Sequence, residues 1–318
     1  MQGKISDRHF TRLVVRKCWF LQIFREALRN CNFKGSLVRF LVDYWSSDDV
    51  ADLFEDKVLY VTDDRCFSFR SVEGRTVKQE ENDLLNHFEE DDHRIFHHVN
   101  SIVTPANVVI RTRDSDLIVI ALGVYHNLQN NLNLLLEIGS FTDNTLEYVN
   151  VNELYMLLES KLWQALPALH IFTGSDYTAA FYGKGKLRPL KKLEKSDEFL
   201  EAFASLGSSE IVLESVIRVI EKFVCQMYEK PKLTSVDEAR LEFYASKYKV
   251  KEWKPLKWKM LKNMDSSAWP PSMTVLREKI KRTNLVGNIL LCSHGPSHSS
   301  YSLLNNGWQL DGDLLSLT

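Results

Sequence analysis

The run Asn107–Thr112 (NVVIRT) constrains the fold more than any other segment. It is short, apolar and β-branched, and it lies between Pro105 and the polar stretch Arg113-Asp114-Ser115-Asp116. Such a run is expected of a strand buried on both faces of a parallel sheet. Leu117–Gly123 (LIVIALG) is a second apolar run, and Leu132–Ile138 and Thr145–Val151 read as two more strands. Further upstream, VLYV (Val58–Val61) and CFSF (Cys66–Phe69) flank Thr62-Asp63-Asp64-Arg65, which predicts a strand pair joined by a turn.

Helical patterns surround these runs. Residues 8–45 read as helices broken near Gly35, and Gln79–Val99 reads as one amphipathic helix. Asn152 is the expected N-cap of a helix running to Phe172. Asp197–Ala204, Glu210–Met227, Val236–Lys247 and Met273–Asn284 follow, and the last 30 residues look irregular. In Glu210–Met227 the stripe is Ile211, Val212, Val216, Ile220 and Val224. Strands alternating with helices predict an α/β fold: a mostly parallel sheet flanked by helices in Rossmann-like three layers. The expected division is an α/β core over 1–195 and a helical extension over 196–318.

Composition excludes several classes. With 318 residues there is room for one large or two modest domains. Five widely spaced cysteines, with no C-x-x-C pair, argue against a disulfide framework and for an intracellular protein. No apolar stretch approaches the length of a membrane span, and the N-terminus has no signal-peptide core, so no membrane partner is expected. Forty Lys+Arg against 42 Asp+Glu leave a net charge of −2, so the overall charge does not announce nucleic acid. Local charge is more telling.

Acidic residues gather at expected element ends: Glu89-Glu90-Asp91-Asp92 in a helix, Asp114-Ser115-Asp116 after the strand, and Asp176 in Gly174-Ser175-Asp176-Tyr177 after a helix. Each has an ordinary reading as well: a solvated helix face, a capping turn and a helix terminator. Were they to converge, their mutual repulsion would call for a hard cation such as Mg²⁺. A pair of such ions clamps the attacking and leaving oxygens of a phosphodiester.

The order of these segments resembles the flap-endonuclease/XPG group of the PIN-like nuclease superfamily. EEDDHRI (Glu89–Ile95), VVIRTRDSDLIVIA (Val108–Ala121) and LHIFTGSDYTAAFYGKGKLRPLKKL (Leu169–Leu193) follow its sequence of an acidic helix, a strand ending in D-x-D, G-S-D-Y, and a G-x-G hairpin. The chain also resembles animal proteins related to mobile elements that carry this domain. By this resemblance Glu90, Asp92, Asp114, Asp116 and Asp176 are metal ligands for two Mg²⁺ ions, with Mn²⁺ able to serve. Asp92, Asp114, Asp116 and Asp176 are also the catalytic carboxylates. Gly183, Lys184, Gly185 and Lys186 match the hairpin that meets duplex phosphates.

The implied activity is that of a metal-dependent phosphodiesterase, a structure-sensing nuclease on branched or single-strand/duplex junction DNA, or on RNA, in the nucleus. One departure stands against it. The family's opening strand, which ends in Asp, is missing before Glu80, and Asp63 and Asp64 are the only stand-ins. The chain therefore reads as an N-terminally incomplete member, and the alternative is a non-catalytic module that holds nucleic acid or protein. Lys247–Lys262 (KYKVKEWKPLKWKMLK) adds a local basic patch with interleaved tryptophans, in which Lys254 and Lys257 are candidate phosphate contacts.

Overall fold

The computed structural model describes residues 24, 26–85, 91–114, 116–128, 132–140, 144–248, 266–296, 301–304, 306–311 and 314–317. They fall into two compact units, Met1–Leu85 and Asn86–Thr318. The boundary expected near Lys195 lies inside the second of these units.

The first unit begins with helix α1 (Cys31–Trp45), capped by Asn30, whose side chain accepts a hydrogen bond from the Phe33 N–H at 3.2 Å. A short helix α2 (Ala51–Phe54) follows. Strands β1 (Leu59–Thr62), β2 (Cys66–Val72) and β3 (Arg75–Glu80) then form an antiparallel sheet in that order. The expected turn at Thr62–Arg65 joins β1 to β2, with Thr62 paired to Cys66. β3 has a polar, mostly exposed sequence with no apolar alternation, so it carried no strand signal. It also takes up residues 79 and 80 of the stretch expected to be helical. Val50, Phe54 and Phe69 form the core, with Val42, Trp45, Val61 and Phe67 packed on it.

The second unit contains the NVVIRT run as strand β4 (Ala106–Thr112). Preceding it is helix α3 (Asp91–Asn100). LIVIALG is helical: with Asp116 and Val124 it forms the nine-residue helix α4 (Asp116–Val124). Periodicity does not separate a fully apolar strand from a buried helix, and here both sides of the segment meet core. Strand β5 (Leu132–Ile138) pairs parallel to β4, and β6 (Glu147–Asn150) pairs antiparallel to β5. The sheet is therefore three-stranded and mixed, in the order β4-β5-β6.

This overturns the expected mostly parallel, three-layer sheet. Among the described residues the fold is mixed α/β, with two small three-stranded sheets, a terminal hairpin and eleven helices. β4 is buried on one face only. Ile110 is buried while Asn107, Val109 and Arg111 are exposed. On that open face Arg111 donates to Glu137, and the Tyr148 hydroxyl donates to the same carboxylate at 3.1 Å.

Helix α5 (Val151–Leu157) is separated from α6 (Ser160–Thr173) by a break at Leu158-Glu159, so the single helix expected from Asn152 to Phe172 is two. Asn150, not Asn152, caps α5 by accepting from the Glu153 N–H. Asn152 instead serves the sheet. Its Nδ2 donates to the Leu132 carbonyl and its Oδ1 accepts from the Leu134 N–H, both at 2.8 Å. β6 reaches only to the level of Leu135, so Asn152 replaces the missing strand for those two backbone groups.

Five helices follow: α7 (Leu187–Leu193), α8 (Asp197–Ala204), α9 (Glu214–Met227), α10 (Val236–Tyr248) and α11 (Met273–Leu291). α9 begins at Glu214, which leaves Ile211 outside the helix and 77% exposed. α11 extends to Leu291, beyond the expected end at Asn284. Its extra turns bury Leu285, Val286 and Leu290. The tail expected to be irregular contains the hairpin β7 (Trp308–Asp311) and β8 (Leu314–Leu317).

Two hydrophobic cores share helices α6 and α11. Phe96, Ile110, Leu117, Leu134, Leu136, Ile171 and Leu290 pack beneath the sheet. Leu169, Phe172, Phe199, Phe203, Phe223, Leu276 and Ile280 form the helical core. Among the described residues no helix is long and apolar enough to cross a membrane. Replacing Asn152 by Ala orphans two backbone groups of β5, and the expected loss is about 1–3 kcal/mol of stability. A urea unfolding curve with unchanged slope and a lowered midpoint is the check.

Candidate phosphate and acidic site

The site is assembled where β4 ends and α6 ends. After β4 the chain turns sharply, with the Thr112 hydroxyl oxygen accepting from the Asp114 N–H at 3.0 Å. Asp114 Oδ1 then accepts from the Asp116 N–H at 2.8 Å, the first residue of α4. Asp114 therefore caps α4, its carboxylate answering an unpaired N–H at the positive end of the helix. The Asp114 side chain is exposed, and the cap uses its Oδ1.

Asp116 points toward the last turn of α6, where its Oδ2 lies 2.9 Å from His170 Nε2. Lys186 Nζ lies 3.0 Å from His170 Nδ1 and 2.9 Å from Nε2. The Asp116 carboxylate and the Lys186 ammonium therefore meet at the imidazole, with Lys186 nearly equidistant from its two nitrogens. Asp114, Asp116, His170 and Lys186 are thus linked by contacts in one chain. His170 had no sequence signal, because a histidine within an apolar helix stands out only once the neighbouring elements are placed.

Asp176 occupies the tip of a tight turn three residues beyond the end of α6. Gly174, at φ 136°, begins this turn, and a Cβ there would come within 2.8 Å of the Ala180 Cβ. Ser175 and Thr178 close it by exchanging backbone hydrogen bonds at 3.0 and 3.2 Å. The Asp176 side chain is exposed and makes no hydrogen bond or ion pair among the described residues. Asp92 lies in the first turn of α3, half-buried and engaged in interactions of its own. Glu90, Lys254 and Lys257 lie outside the described residues. Among the described residues, no three His, Cys, Asp or Glu side chains are grouped so as to hold a metal ion.

Gly183 and Gly185 both take left-handed backbone, at φ 67° and 59°, which allows the GKGK segment to turn tightly into α7. Its two lysines differ. The Lys184 ammonium sits 4.1 Å over the Tyr228 ring, and burial lowers its pKa. Lys186 is exposed and reaches His170. Arg188 and Lys191 are exposed on α7, and Lys195 is exposed just beyond it. Tyr182, beside the turn, is 63% exposed.

Beneath the turn lies a residue that sequence reasoning missed. Lys279 of α11 is 8% exposed, donates to the Ala179 carbonyl, and lies 4.7 Å from the Phe181 ring centroid and 5.4 Å from that of Phe172. It ties the Gly174–Phe181 connection to α11 across 100 residues of sequence. Burial pushes its ammonium down to about 8, with the positive charge of Arg282 adding to the effect. The folded pKa is below the unfolded one, so the charged side chain costs stability at neutral pH. That cost is relieved as pH rises from about 8 toward the unfolded lysine range.

Comparisons with protein families, with curated proteins and with solved structures return no match. Lys279→Met removes the buried charge. The protein with Lys279 is expected to gain stability relative to this variant between pH 8 and 10, with a slope approaching about 1.4 kcal/mol per pH unit. Parallel urea titrations across that range measure it, and a flat difference contradicts the assignment.

Proposed function

We propose that this chain binds a nucleic-acid backbone where the GKGK turn meets the Asp114–Asp116 corner. The observation that carries this reading is the contact chain Lys186–His170–Asp116. It ties a strongly basic short segment of the second unit to the acidic turn at the end of β4. Gly183–Lys195 contains six basic residues and one acid, Glu194. Such a segment neutralises phosphates and releases counterions, a sequence-independent source of affinity. Exposed Tyr182 offers a face on which a base can stack. A nuclear location follows only if the polymer is DNA.

The test is fluorescence anisotropy with single-stranded, duplex and junction DNA, and with RNA, over a series of salt concentrations. Each lost phosphate contact is expected to reduce the salt slope by about 1. Lys186→Ala, Arg188→Ala and Lys191→Ala together should weaken binding of every sequence alike. Binding that ignores both salt and these substitutions would sink the proposal.

Metal-dependent hydrolysis of the bound backbone is the second reading, favoured by the exposed Asp114 beside Asp116. Mg²⁺ needs only one or two protein carboxylates when water and substrate phosphate complete its shell. Asp114 and Asp116 would be the ligands of one such ion, with Asp116 also in contact with His170. A bound ion would supply Lewis-acid stabilisation of phosphoryl charge. The chain's own groups would orient the phosphate through Lys186 and hold the Asp116 carboxylate through His170. In this reading, flap and junction DNA are cut in Mg²⁺ or Mn²⁺, and Asp114→Asn removes cutting while binding persists. Cleavage that survives Asp114→Asn assigns the chemistry elsewhere.

A further inference from the structure

Lys184 and Glu229 form a second constellation beside the GKGK turn. Glu229 follows α9, where the helix is stopped by left-handed backbone. Its N–H donates to the Gln226 carbonyl at 3.0 Å, and the Lys230 N–H donates to the Cys225 carbonyl at 2.9 Å. This pair of bonds ends many helices, and glycine is the usual residue at its left-handed position. Here a glutamate holds φ 61°, although a side chain is disfavoured there. Strained backbone of this kind gathers at functional sites, where a particular side chain is needed.

The Glu229 side chain is exposed, and its charge acts on the Lys184 amine. Tyr228, its neighbour in the chain, supplies the ring that lies 4.1 Å from Lys184 Nζ. That ring is buried, and burial pushes its phenol up to about 12, so it stays uncharged. Arg188 and Lys192 of α7 act on the same amine. Burial lowers the Lys184 pKa, the two like charges add to this, and Glu229 opposes it. An amine, a carboxylate and two cations suited to phosphate thus surround one aromatic face. A lysine amine made easier to deprotonate is a nucleophile toward a carbonyl. A DNA backbone offers one such carbonyl, C1′ of a deoxyribose that has lost its base, an aldehyde in its ring-opened form.

We propose that Lys184 and Glu229 form a lyase site for abasic positions in DNA, with Arg188 and Lys192 on the flanking phosphates. The proposal rests on the backbone binding proposed above for the same turn. Lys184 Nζ attacks C1′, a C–N bond forms, and the aldehyde oxygen leaves as water. Glu229 takes the proton from C2′ of the resulting imine. The electron pair left behind expels O3′, so the C3′–O3′ bond breaks and the downstream strand leaves with its 5′ phosphate. Water then cleaves the imine, which restores the lysine and leaves an unsaturated aldehyde on the upstream strand. The sequence of steps needs no oxidant or reductant.

The full chain is incubated in EDTA with duplex DNA holding one abasic site, with and without borohydride, which reduces an imine to a stable adduct. The expected adduct maps to Lys184 by mass spectrometry, and the expected cut strand carries the unsaturated aldehyde. At protein concentrations that saturate the DNA, Lys184→Arg is expected to lower the adduct at least tenfold. Glu229→Gly restores the residue that the turn prefers, so the fold is kept. This variant is expected to form the adduct and to cut at least tenfold more slowly. Intact DNA of the same sequence is titrated in parallel. Failure to bind intact DNA removes the backbone reading and the lyase with it, whereas binding without an adduct overturns the lyase alone. An adduct shared evenly among Lys186, Lys191 and Lys195 also overturns it, as does cutting by Glu229→Gly at the unaltered rate. Labelling of Lys184 by free butanal as fast as by the abasic strand would show a merely reactive amine, and would overturn the substrate assignment.

Discussion

Burial of most of α6 is the constraint from which the second unit follows. Trp163, Ala165, Pro167, Ala168, Leu169, Ile171 and Phe172 are all buried, and they face two different cores. A helix in that position is only weakly amphipathic, because few of its positions, Ser160 and Gln164 among them, reach solvent. It also tolerates Pro167, whose missing N–H matters less than the surface it buries. α4 packs on the same helix so closely that a Cβ on Gly123 would come within 3.0 Å of the Pro167 ring and 3.1 Å of Leu290. α11 completes the wall, with Leu276 and Ile280 in one core and Val286 and Leu290 in the other.

The candidate site is a consequence of this packing. α6 ends at Thr173, which leaves His170 in its last turn facing the start of α4 and the Asp116 carboxylate. The chain then folds back through the Gly174–Phe181 connection, held from below by Lys279, and delivers Lys186 to the same imidazole. Polar contacts of α11 secure a neighbouring loop. Asn284, 1% exposed, accepts from the Gly207 N–H at 2.8 Å, and Asn288 donates to the Gly207 carbonyl. The approach is close enough that a Cβ on Gly207 would sit 2.9 Å from the Asn288 nitrogen. Buried polar groups satisfied in this way fix one arrangement of the helices rather than merely adding stability.

Strand and helix identity was legible wherever a segment had one buried face. β5, α8 and most of α9 and α10 lie where their periodicity places them, as do β1 and β2 on either side of the Asp63-Asp64 turn. Legibility failed where burial was total or absent. LIVIALG has no polar face, so its period is hidden, and β3 has almost no buried face, so it had no period to show. NVVIRT looked doubly buried because Val109 is apolar, yet Val109 is 53% exposed. At the site, the acidic residues were visible as turns and caps. The histidine and the lysines that join them were not, because a contact between α6 and the GKGK turn leaves no local pattern.

The amino-acid sequence alone determined that this chain combines short strands with helices, and it located most of them. It placed Asp114 and Asp116 just beyond a parallel strand, and it set two glycines in a basic turn ahead of a proline-containing helix. Those features are local, dictated by side-chain shape, backbone freedom and the need to cap helix ends. Only the tertiary structure decided that the sheet is small and mixed, that Asn152 serves a strand rather than a helix, and that Asp116, His170 and Lys186 meet. It also decided that Lys279 is buried beneath a turn 100 residues away. Each depends on the packing of surfaces distant in sequence, where the free energy resides in excluded water and satisfied polar groups rather than in any residue's own preference.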